Sequence, residues 1–382
     1  MIKRIILAFW RRVSVWLYLP FPVQKNKIVV SSYYGNGYGD NPKYIVEELL
    51  RRKLDLDIVW IVRDKSIAKS LPQGVRYCVK DSLLHNYHMA TAKVWIDNCR
   101  KSFFYKKKSQ YYIQTWHGDI GLKKVEKDAE KALAKSYVKW AKRDSKAANL
   151  FISGNSWEAQ KYRDAFWYDG EILICGYPRR DILYKDDIAI DDLKAQIGIP
   201  LDCKVLFYAP TFRKCIQKPD MSVYNLAWDD ILEAARQRWG GKWIGMIRLH
   251  PNIAAHSKEM HLPKNVIDMS QYPDMQELLA VSDICISDYS SSVFEFAVTG
   301  KAAFIFATDI EDYKKDRDVY FSFDDLPFQV AQSNDELRQN IVSFSDADYK
   351  LKHSKFYQET IGICEEGNTS SKIADIIEEH CC

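Results

Sequence analysis

The sequence predicts an α/β protein of two doubly wound domains, each with a parallel sheet covered by helices. Three observations support this prediction. Short runs of β-branched and aromatic residues alternate with stretches of helical periodicity along the chain. The 382 residues are too many for one typical core and fit two domains of ordinary size. An acidic stretch at 181–200 indicates a linker and helix between two alternating halves.

Composition narrows the possible functions. Hydrophobic residues make up 47% of the chain, which supplies a sizeable core and argues against long disorder. A formal net charge of only +4 implies no general affinity for nucleic acid. The nine cysteines include no CxxC pair, and their odd number argues against a disulfide framework. We therefore predict that the protein is located in a reducing cytosol. Neither the cysteines nor His85 and His88 have metal-ligand spacing, and we predict no metal site.

The N-terminal residues 1–22 predict an amphipathic helix. Aromatic and aliphatic residues share one side, and four cations lie on the other. The apolar side carries Ile2, Ile5, Ile6, Phe9, Val13, Trp16 and Leu17, and the cations are Lys3, Arg4, Arg11 and Arg12. The apolar runs are too short to span a bilayer, and there is no secretory cleavage site. We expect peripheral binding to the anionic cytoplasmic face of the cell membrane; packing on the protein itself is the alternative.

The first domain, predicted at 23–182, opens with a strand, a glycine-rich turn and a helix at 27–53. The spacing of Gly35, Gly37 and Gly39 lacks the third glycine of the dinucleotide fingerprint, so a cleft-lining loop is expected there rather than a cofactor site. Further strands are predicted at 57–63, 94–98 and 111–115.

A histidine follows the last of these strands. His117 is expected at a strand end, and Gly118 allows a substrate to approach closely. An imidazole with a pKa of about 6.5 can take a proton from an attacking hydroxyl at neutral pH, although a lone histidine is more often structural. Lys123 and Lys124 follow; they either belong to a solvated helix face or guide an anionic acceptor or the membrane surface.

The second domain, predicted at 183–369, restarts the alternation of strands and helices. Pro210 ends its first strand and places Arg213 on the next loop, where a guanidinium could clamp a diphosphate. A later strand delivers Arg248 and His250 to the same edge; a buried, capped imidazole is the alternative for the histidine. Strands are predicted at 205–209, 243–249, 265–268, 284–287 and 302–306, and a final helix at 370–382 could cross back to the first domain.

Three consecutive serines stand between a buried strand and an apolar-periodic helix. Ser290, Ser291 and Ser292 can cap this helix, with their backbone N–H groups directed at the carboxyl edge of the sheet. Free amides and the positive end of the helix dipole favour a phosphate group there. An ordinary capped helix is the alternative.

Several motifs together resemble the CDP-glycerol glycerophosphotransferase family, the teichoic-acid primases and polymerases. They are YYIQTWHGDIGLKK (111–124), ICGYPRRDIL (174–183), LFYAPTFR (206–213), IRLHP (247–251), VSDICISDYSSSVFEFA (281–297) and DIEDYKKDRDVYF (309–321), and the resemblance covers about 27–337. It implies a GT-B fold, in which two Rossmann-type domains face a cleft. It also implies that His117 is a catalytic base and that His250 faces the donor phosphate.

The implied reaction transfers a polyol phosphate to a membrane-linked acceptor. CDP-glycerol or CDP-ribitol would bind Ser290–Ser292, with Arg213, Arg248 and His250 nearby and Glu295 facing the nucleotide or polyol hydroxyls. A hydroxyl of an acceptor saccharide on a polyprenyl diphosphate would attack, and CMP would leave. No cofactor is required, although bound Mg²⁺ is compatible with this chemistry. Asp119-Ile120-Gly121 replaces the family's Thr-Pro; Asp119 is a candidate acceptor contact, but the acceptor's identity stays open.

Two other function classes stay open. One is a sugar-nucleotide glycosyltransferase with the same fold, which would release UDP or GDP. The other is a non-catalytic, membrane-bound scaffold of wall or capsule assembly, which would not bind a donor. The sequence does not distinguish glycerol from ribitol, teichoic acid from capsule, or single addition from polymerisation.

Overall fold

The computed structural model describes residues 13–102, 104–118, 120–213, 221–310 and 319–381. The chain divides into two compact units. Unit 1 comprises Met1–His117, Val125–Asp181 and Ile363–Cys382, and unit 2 comprises Gly118–Lys124 and Ile182–Gly362. The boundaries expected from the sequence differ in three places, since they assign 118–124 and residue 182 to the first domain and 363–369 to the second.

A parallel sheet forms the centre of unit 1. Its strands are β1 (Gln24–Ser31), β2 (Asp57–Val62), β3 (Val75–Val79), β4 (Ala92–Asp97), β5 (Tyr111–Gln114), β6 (Leu150–Ser153) and β7 (Glu171–Ile174). Within the described residues the seven strands follow the order β3-β2-β1-β4-β5-β6-β7, with every neighbouring pair parallel. The order reverses between β1 and β4, and a doubly wound sheet leaves its ligand crevice at such a switch point.

Unit 2 repeats this topology. Its strands are β8 (Cys203–Ala209), β9 (Lys242–Ile247), β10 (Val266–Asp268), β11 (Ile284–Ser287), β12 (Ala303–Phe306) and β13 (Gln329–Ala331). In the described part of the chain the order is β10-β9-β8-β11-β12-β13, again with parallel pairing throughout. The switch point lies between β8 and β11.

Helices connect the strands. They are α1 (Asp40–Arg51), α2 (Leu83–Thr91), α3 (Lys135–Ala147), α4 (Ser156–Ala165), α5 (Asp187–Ile197), α6 (Trp228–Trp239), α7 (Met275–Ala280), α8 (Ser292–Ala297), α9 (Asn334–Val342), α10 (Asp346–Ser354) and α11 (Thr369–Cys381). A π-helical segment, Lys355–Ile361, continues α10. Short 3₁₀ segments lie at Tyr33–Gly35, Lys65–Ser70, Glu126–Ala132, Pro178–Tyr184, Met221–Tyr224, Ala254–Glu259 and Phe323–Asp325.

The sheet of unit 1 is buried on both faces. Successive side chains of a strand point to opposite faces, so Ile28 of β1 packs with Ile45 of α1, whereas Val29 packs with Trp95 on the other side. Helix α11 completes the first of these faces, with Ile373 and Ile377 in the same cluster. The two-sided covering explains why the strands are nearly continuous hydrophobic runs.

The two-domain α/β fold predicted from the sequence is confirmed. Strands β1, β2, β4 and β5, and β8 to β12 in unit 2, overlap the predicted stretches. Sequence reasoning missed β3, β6, β7 and β13. β7 and β13 lie at sheet edges and are only partly buried, so their apolar pattern is weak, and β6 has only four residues. In β3, Arg76 and Tyr77 are exposed at the sheet edge and hide the pattern.

The predicted N-terminal helix is described only in part, because Met1–Arg12 lie outside the described residues. Residues 13–17 are helical. Ser14 and Val15 are buried, and Ser14 Oγ accepts a hydrogen bond from Asn86 Nδ2 at 2.6 Å. Trp16 and Leu17 are 60% and 58% exposed. One side therefore packs on unit 1 and the other presents large apolar side chains. Among the described residues, no helix is long and apolar enough to cross a membrane.

Unit 1 contains a buried carboxyl group on one of its helices. Glu158 of α4 accepts hydrogen bonds from Tyr177 OH and, at 3.4 Å, from Ser153 Oγ. Burial raises the pKa of Glu158 to about 7, and hydrogen bonds from the tyrosines oppose this rise only in part. This pKa lies above that of an ordinary glutamate, so the unfolded chain releases the proton first as pH rises.

We expect the stability of the protein to depend on this proton. Stability contributed by Glu158 is fully present below about pH 4.5 and is lost as pH rises to about 7. Urea unfolding between pH 5 and 8 should show the wild type losing stability relative to Glu158→Gln, which cannot ionise. Parallel pH profiles for the two proteins would contradict the assignment.

Candidate functional site

His117 lies on the loop after β5, and the end of β4 fixes its protonation pattern. Its Nδ1 is 2.6 Å from the carbonyl oxygen of Asn98, the residue after β4. A carbonyl oxygen only accepts, so Nδ1 carries the hydrogen, and Nε2 of the neutral ring keeps its lone pair. His117 is therefore held in the tautomer that a general base requires.

Helix α1 holds the loop before this histidine. Trp116 has φ of 51°, a backbone conformation that a bulky residue rarely adopts. The fully buried Asn41 donates from Nδ2 to the carbonyl oxygens of Thr115 and Trp116, both at 3.3 Å. Its Oδ1 accepts from the N–H of Arg179 at 3.2 Å. These bonds stabilise the strained turn that presents His117.

An ion pair extends this support. Tyr33, whose ring lies 5.8 Å from that of His117, donates a hydrogen bond from its hydroxyl to the carboxylate of Asp40. Asp40 also accepts from Arg179 Nη1 at 3.1 Å, with both side chains buried. The sequence analysis did not assign these residues to the site. Arg179 stands in the motif at 174–183, but only the fold brings it to Asp40 and Asn41.

His250 in unit 2 is held in the opposite tautomer. Its Nδ1 accepts a hydrogen bond from the N–H of Asn252 at 3.2 Å, so the neutral ring carries its hydrogen on Nε2. Burial lowers the pKa of His250, and the positive charges of Arg248 and Lys123 lower it further. The ring of Phe212 lies 4.7 Å away. His250 is thus a neutral hydrogen-bond donor, suited to an anionic oxygen.

Arg213 lies between two carboxylates. Its Nη1 is 2.7 Å from Asp288, and its Nε and Nη2 are 2.6 and 2.9 Å from the two oxygens of Asp309. Asp288 is buried and also accepts from the N–H of Thr211 at 2.9 Å. Burial raises the pKa of the Asp288 carboxyl, and the adjacent guanidinium opposes this shift. Arg213 therefore joins the loops after β8, β11 and β12; its clamp on a diphosphate stays a prediction.

The three serines lie on the loop that follows Asp288. Ser291 is at the N-cap of α8 but makes no capping hydrogen bond with its side chain. Ser290 Oγ accepts from the N–H of Ser292 at 3.2 Å and from its hydroxyl at 2.9 Å. Because β9, β8 and β11 are adjacent, the fold brings this loop together with those of Arg213 and His250. Phosphate binding by the serines stays a prediction.

The remaining candidates have varied surroundings. Arg248 donates to the carbonyl oxygens of Tyr272 and Pro273, at 3.2 and 3.4 Å. Glu295 is buried and accepts from Gln276 Nε2 at 2.5 Å. Lys123 and Lys124 belong to unit 2, and Asp119 lies outside the described residues. Within the described ranges, no cluster of three or more His, Cys, Asp or Glu side chains could hold a metal ion.

Comparison with known proteins identifies the family. The model of the CDP-Glycerol:Poly(glycerophosphate) glycerophosphotransferase family matches residues 13–379. The chain belongs to this family. The resemblance predicted from the motifs is therefore confirmed.

Three relatives illustrate the likeness. The chain is 31% identical over 368 residues to teichoic acid poly(glycerol phosphate) polymerase of Bacillus subtilis (strain 168), covering 93% of this chain and 49% of that protein. It thus spans about half of that relative. It is 29% identical over 369 residues to teichoic acid glycerol-phosphate transferase of Staphylococcus aureus (strain NCTC 8325 / PS 47), covering 92% and 93%. A histidine-to-asparagine variant of the wall teichoic acid polymerase TagF, soaked with CDPG, superposes with TM-score 0.84 at 27% identity, covering 100% and 96%.

The positioning role of Arg213 can be tested by stability. Arg213→Met leaves the buried Asp288 carboxylate without its counter-charge, and we expect a loss of about 3–5 kcal/mol in the free energy of unfolding of unit 2. Urea unfolding without ligand measures this loss. Arg238→Met is a matched control, because Arg238 is similarly exposed but pairs with the exposed Asp346, and it should cost less than about 1 kcal/mol. If Arg213→Met were as stable as the wild type, the guanidinium would have no structural role and would act only in ligand binding.

Proposed function

We propose that the chain transfers glycerol phosphate, or a related polyol phosphate, from CDP-glycerol to a hydroxyl of a membrane-linked acceptor and releases CMP. The polymer would be a teichoic acid or a capsular polymer. Family membership and the relatives' names support the donor class. The observation that carries the proposal is the complementary protonation of the two histidines, because phosphoryl transfer from a nucleotide donor needs a base for the acceptor and a donor for the phosphate oxygens.

In the proposed reaction, the acceptor hydroxyl attacks the phosphorus that bears glycerol. A bond forms between the acceptor oxygen and phosphorus, and the bond from that phosphorus to the CMP oxygen breaks. Nε2 of His117 takes the hydroxyl proton. Nε2–H of His250 donates to a phosphate oxygen, and the amides and hydroxyls of Ser290–Ser292 bind the diphosphate. Most of the acceleration then comes from positioning and charge stabilisation, as in phosphoryl transfer generally. The chemistry requires no cofactor.

Peripheral attachment at the cytoplasmic face of the membrane is part of this proposal. Trp16 and Leu17 are exposed on the short helix that Ser14 and Val15 anchor to unit 1. The ring of the exposed Tyr105 lies 5.8 Å from that of Trp16. Aromatic side chains of this kind partition into the membrane interface. The acceptor would be a lipid-linked saccharide held at the same surface.

Turnover and donor binding test the reaction. His117→Ala and His250→Ala should each cut CMP release from CDP-glycerol, with a short soluble acceptor, by about 10²–10⁴-fold. His250→Ala should weaken CDP-glycerol binding in calorimetry more than His117→Ala does. The reverse order would show that the two roles are exchanged. Release of UDP or GDP from a sugar nucleotide would instead favour a glycosyltransferase, and absence of donor binding a scaffold.

Asparagine variants sharpen this test. An amide donates a hydrogen bond but does not accept a proton at neutral pH, so His250→Asn should recover part of the activity and His117→Asn should not. His256→Ala is the control, since His256 lies in unit 2 beside the exposed Glu259 and has no proposed role. Equal recovery by both asparagine variants would refute the division of roles.

Membrane attachment has a separate test. Trp16→Ser with Leu17→Ser removes the outward apolar side chains while keeping Ser14 and Val15, which pack on the protein. We expect sedimentation with anionic vesicles to fall several-fold and activity on a soluble acceptor to persist. Leu351→Ser is the matched control, because Leu351 is 72% exposed in unit 2. Unchanged sedimentation of the double variant would show that another surface of the protein contacts the membrane.

A further inference from the structure

A pocket of about 80 Å³ opens in unit 1 at the carboxyl ends of β1 and β4. Ser31, the last residue of β1, and Asp97, the last residue of β4, both line it. These strands flank the switch point of the sheet, where doubly wound folds place their ligands. The lining includes none of the candidate catalytic or donor-binding residues.

Two of the cations that line this pocket have hydrogen-bond donors without an acceptor among the described residues. Lys80 is half-buried, and its ammonium lies 4.9 Å from the centre of the Tyr34 ring. Among the described residues, no carboxylate lies within ion-pair distance of Lys80. Arg100 is buried, and its Nη atoms bond to Asp144, Ser145 and Glu126. Its Nε–H is also buried but has no acceptor in the described part of the chain.

Two hydroxyl groups add to this set. Ser31 is buried, whereas Tyr34 is 44% exposed, and within the described residues neither hydroxyl has a hydrogen-bond partner. The carboxylate of Asp97, in contrast, already pairs with Lys101 and accepts the N–H of Cys99 at 2.9 Å. The pocket thus offers several donors without acceptors among the described residues; of these, the Nε–H of Arg100 is fully buried, and buried donors are normally satisfied. A group with several anionic oxygens would satisfy them together.

The rest of the lining includes the polar side chains of Asp81, His85, Asn86, Lys101 and Ser102 and also an apolar part. Val15, Ile61, Met89, Phe104 and Tyr105 line the same pocket. Val15 precedes the exposed Trp16 in the chain, and the Trp16 ring lies beside that of Tyr105. One pocket therefore combines anion-binding groups with apolar walls next to the exposed aromatic surface. A ligand that joins a phosphate to a hydrocarbon chain matches both parts.

We propose that this pocket binds the phosphate group of a lipid phosphate, with Lys80 as its principal cation, and so holds the acceptor lipid on unit 1. The identification of this lipid as the acceptor rests on the proposed function. The pocket itself does not, since its donors and apolar walls are features of unit 1 alone. Ser31 and Tyr34 would donate to the remaining phosphate oxygens.

Calorimetric titration with farnesyl phosphate tests the site in the full chain. We expect tighter binding than for farnesol, which lacks the phosphate, or inorganic phosphate, which lacks the chain. Lys80→Gln should weaken farnesyl phosphate binding by at least about tenfold, the effect of losing one charge-assisted contact. Tyr34→Phe, which keeps the ring, should weaken it less. Lys69→Gln, an exposed lysine outside the pocket, is the charge-matched control.

Each outcome decides the proposal. Equal affinity of wild type and Lys80→Gln would overturn it, as would binding of inorganic phosphate as tightly as farnesyl phosphate. Thermal unfolding identifies a folding defect in Lys80→Gln, in which case Tyr34→Phe, with a weaker but measurable loss, carries the test. CDP-glycerol titrated into the wild type is a separate measurement: absence of donor binding would defeat the proposed function while the lipid-phosphate site is still judged by Lys80.

Discussion

Parallel pairing of every strand in the two described sheets is the constraint on which the candidate chemistry depends. Parallel strands bring their carboxyl ends to one edge, so residues distant in sequence meet there. In unit 1 the backbone after β4 supplies the carbonyl that orients His117 on the loop after β5. In unit 2, the loops after β8, β11 and β12 meet through Arg213 and its two carboxylates. Core clusters cover both faces of the sheet in unit 1.

Buried charges hold the loops at these edges. Arg179 pairs with Asp40 next to the His117 loop, and Arg180 pairs with Glu365, both within unit 1. A buried ion pair adds little net stability, yet removing one partner is costly because the other charge is left without compensation. Such a pair therefore favours one loop arrangement strongly over its alternatives. The same reasoning applies to Arg213, which pairs with Asp288 and Asp309.

Much of the fold was accessible from the sequence, because β1, β8 and β11 are runs of buried apolar residues bounded by clear breaks. The locations of His117 and His250 at strand ends followed from the same pattern. Their surroundings did not, since they depend on residues far apart in the chain: Asn41 contacts Thr115, and Arg213 contacts Asp309. Asp288 had a visible signal, an acidic residue directly after a buried strand and before three serines. The pattern did not reveal that Asp288 would pair with an arginine.

The different protonation of the two histidines follows from local backbone chemistry. After His250, Pro251 has no N–H to offer, so the first available amide is that of Asn252, in a turn closed by the bond from Ile253 N–H to the His250 carbonyl at 2.9 Å. This amide donates to Nδ1. His117 instead follows a residue with positive φ and meets a carbonyl oxygen from another strand. Nδ1 of His250 therefore faces a hydrogen-bond donor, whereas Nδ1 of His117 faces an acceptor. This contrast distinguishes an imidazole that can donate to a phosphate from one that can act as a base.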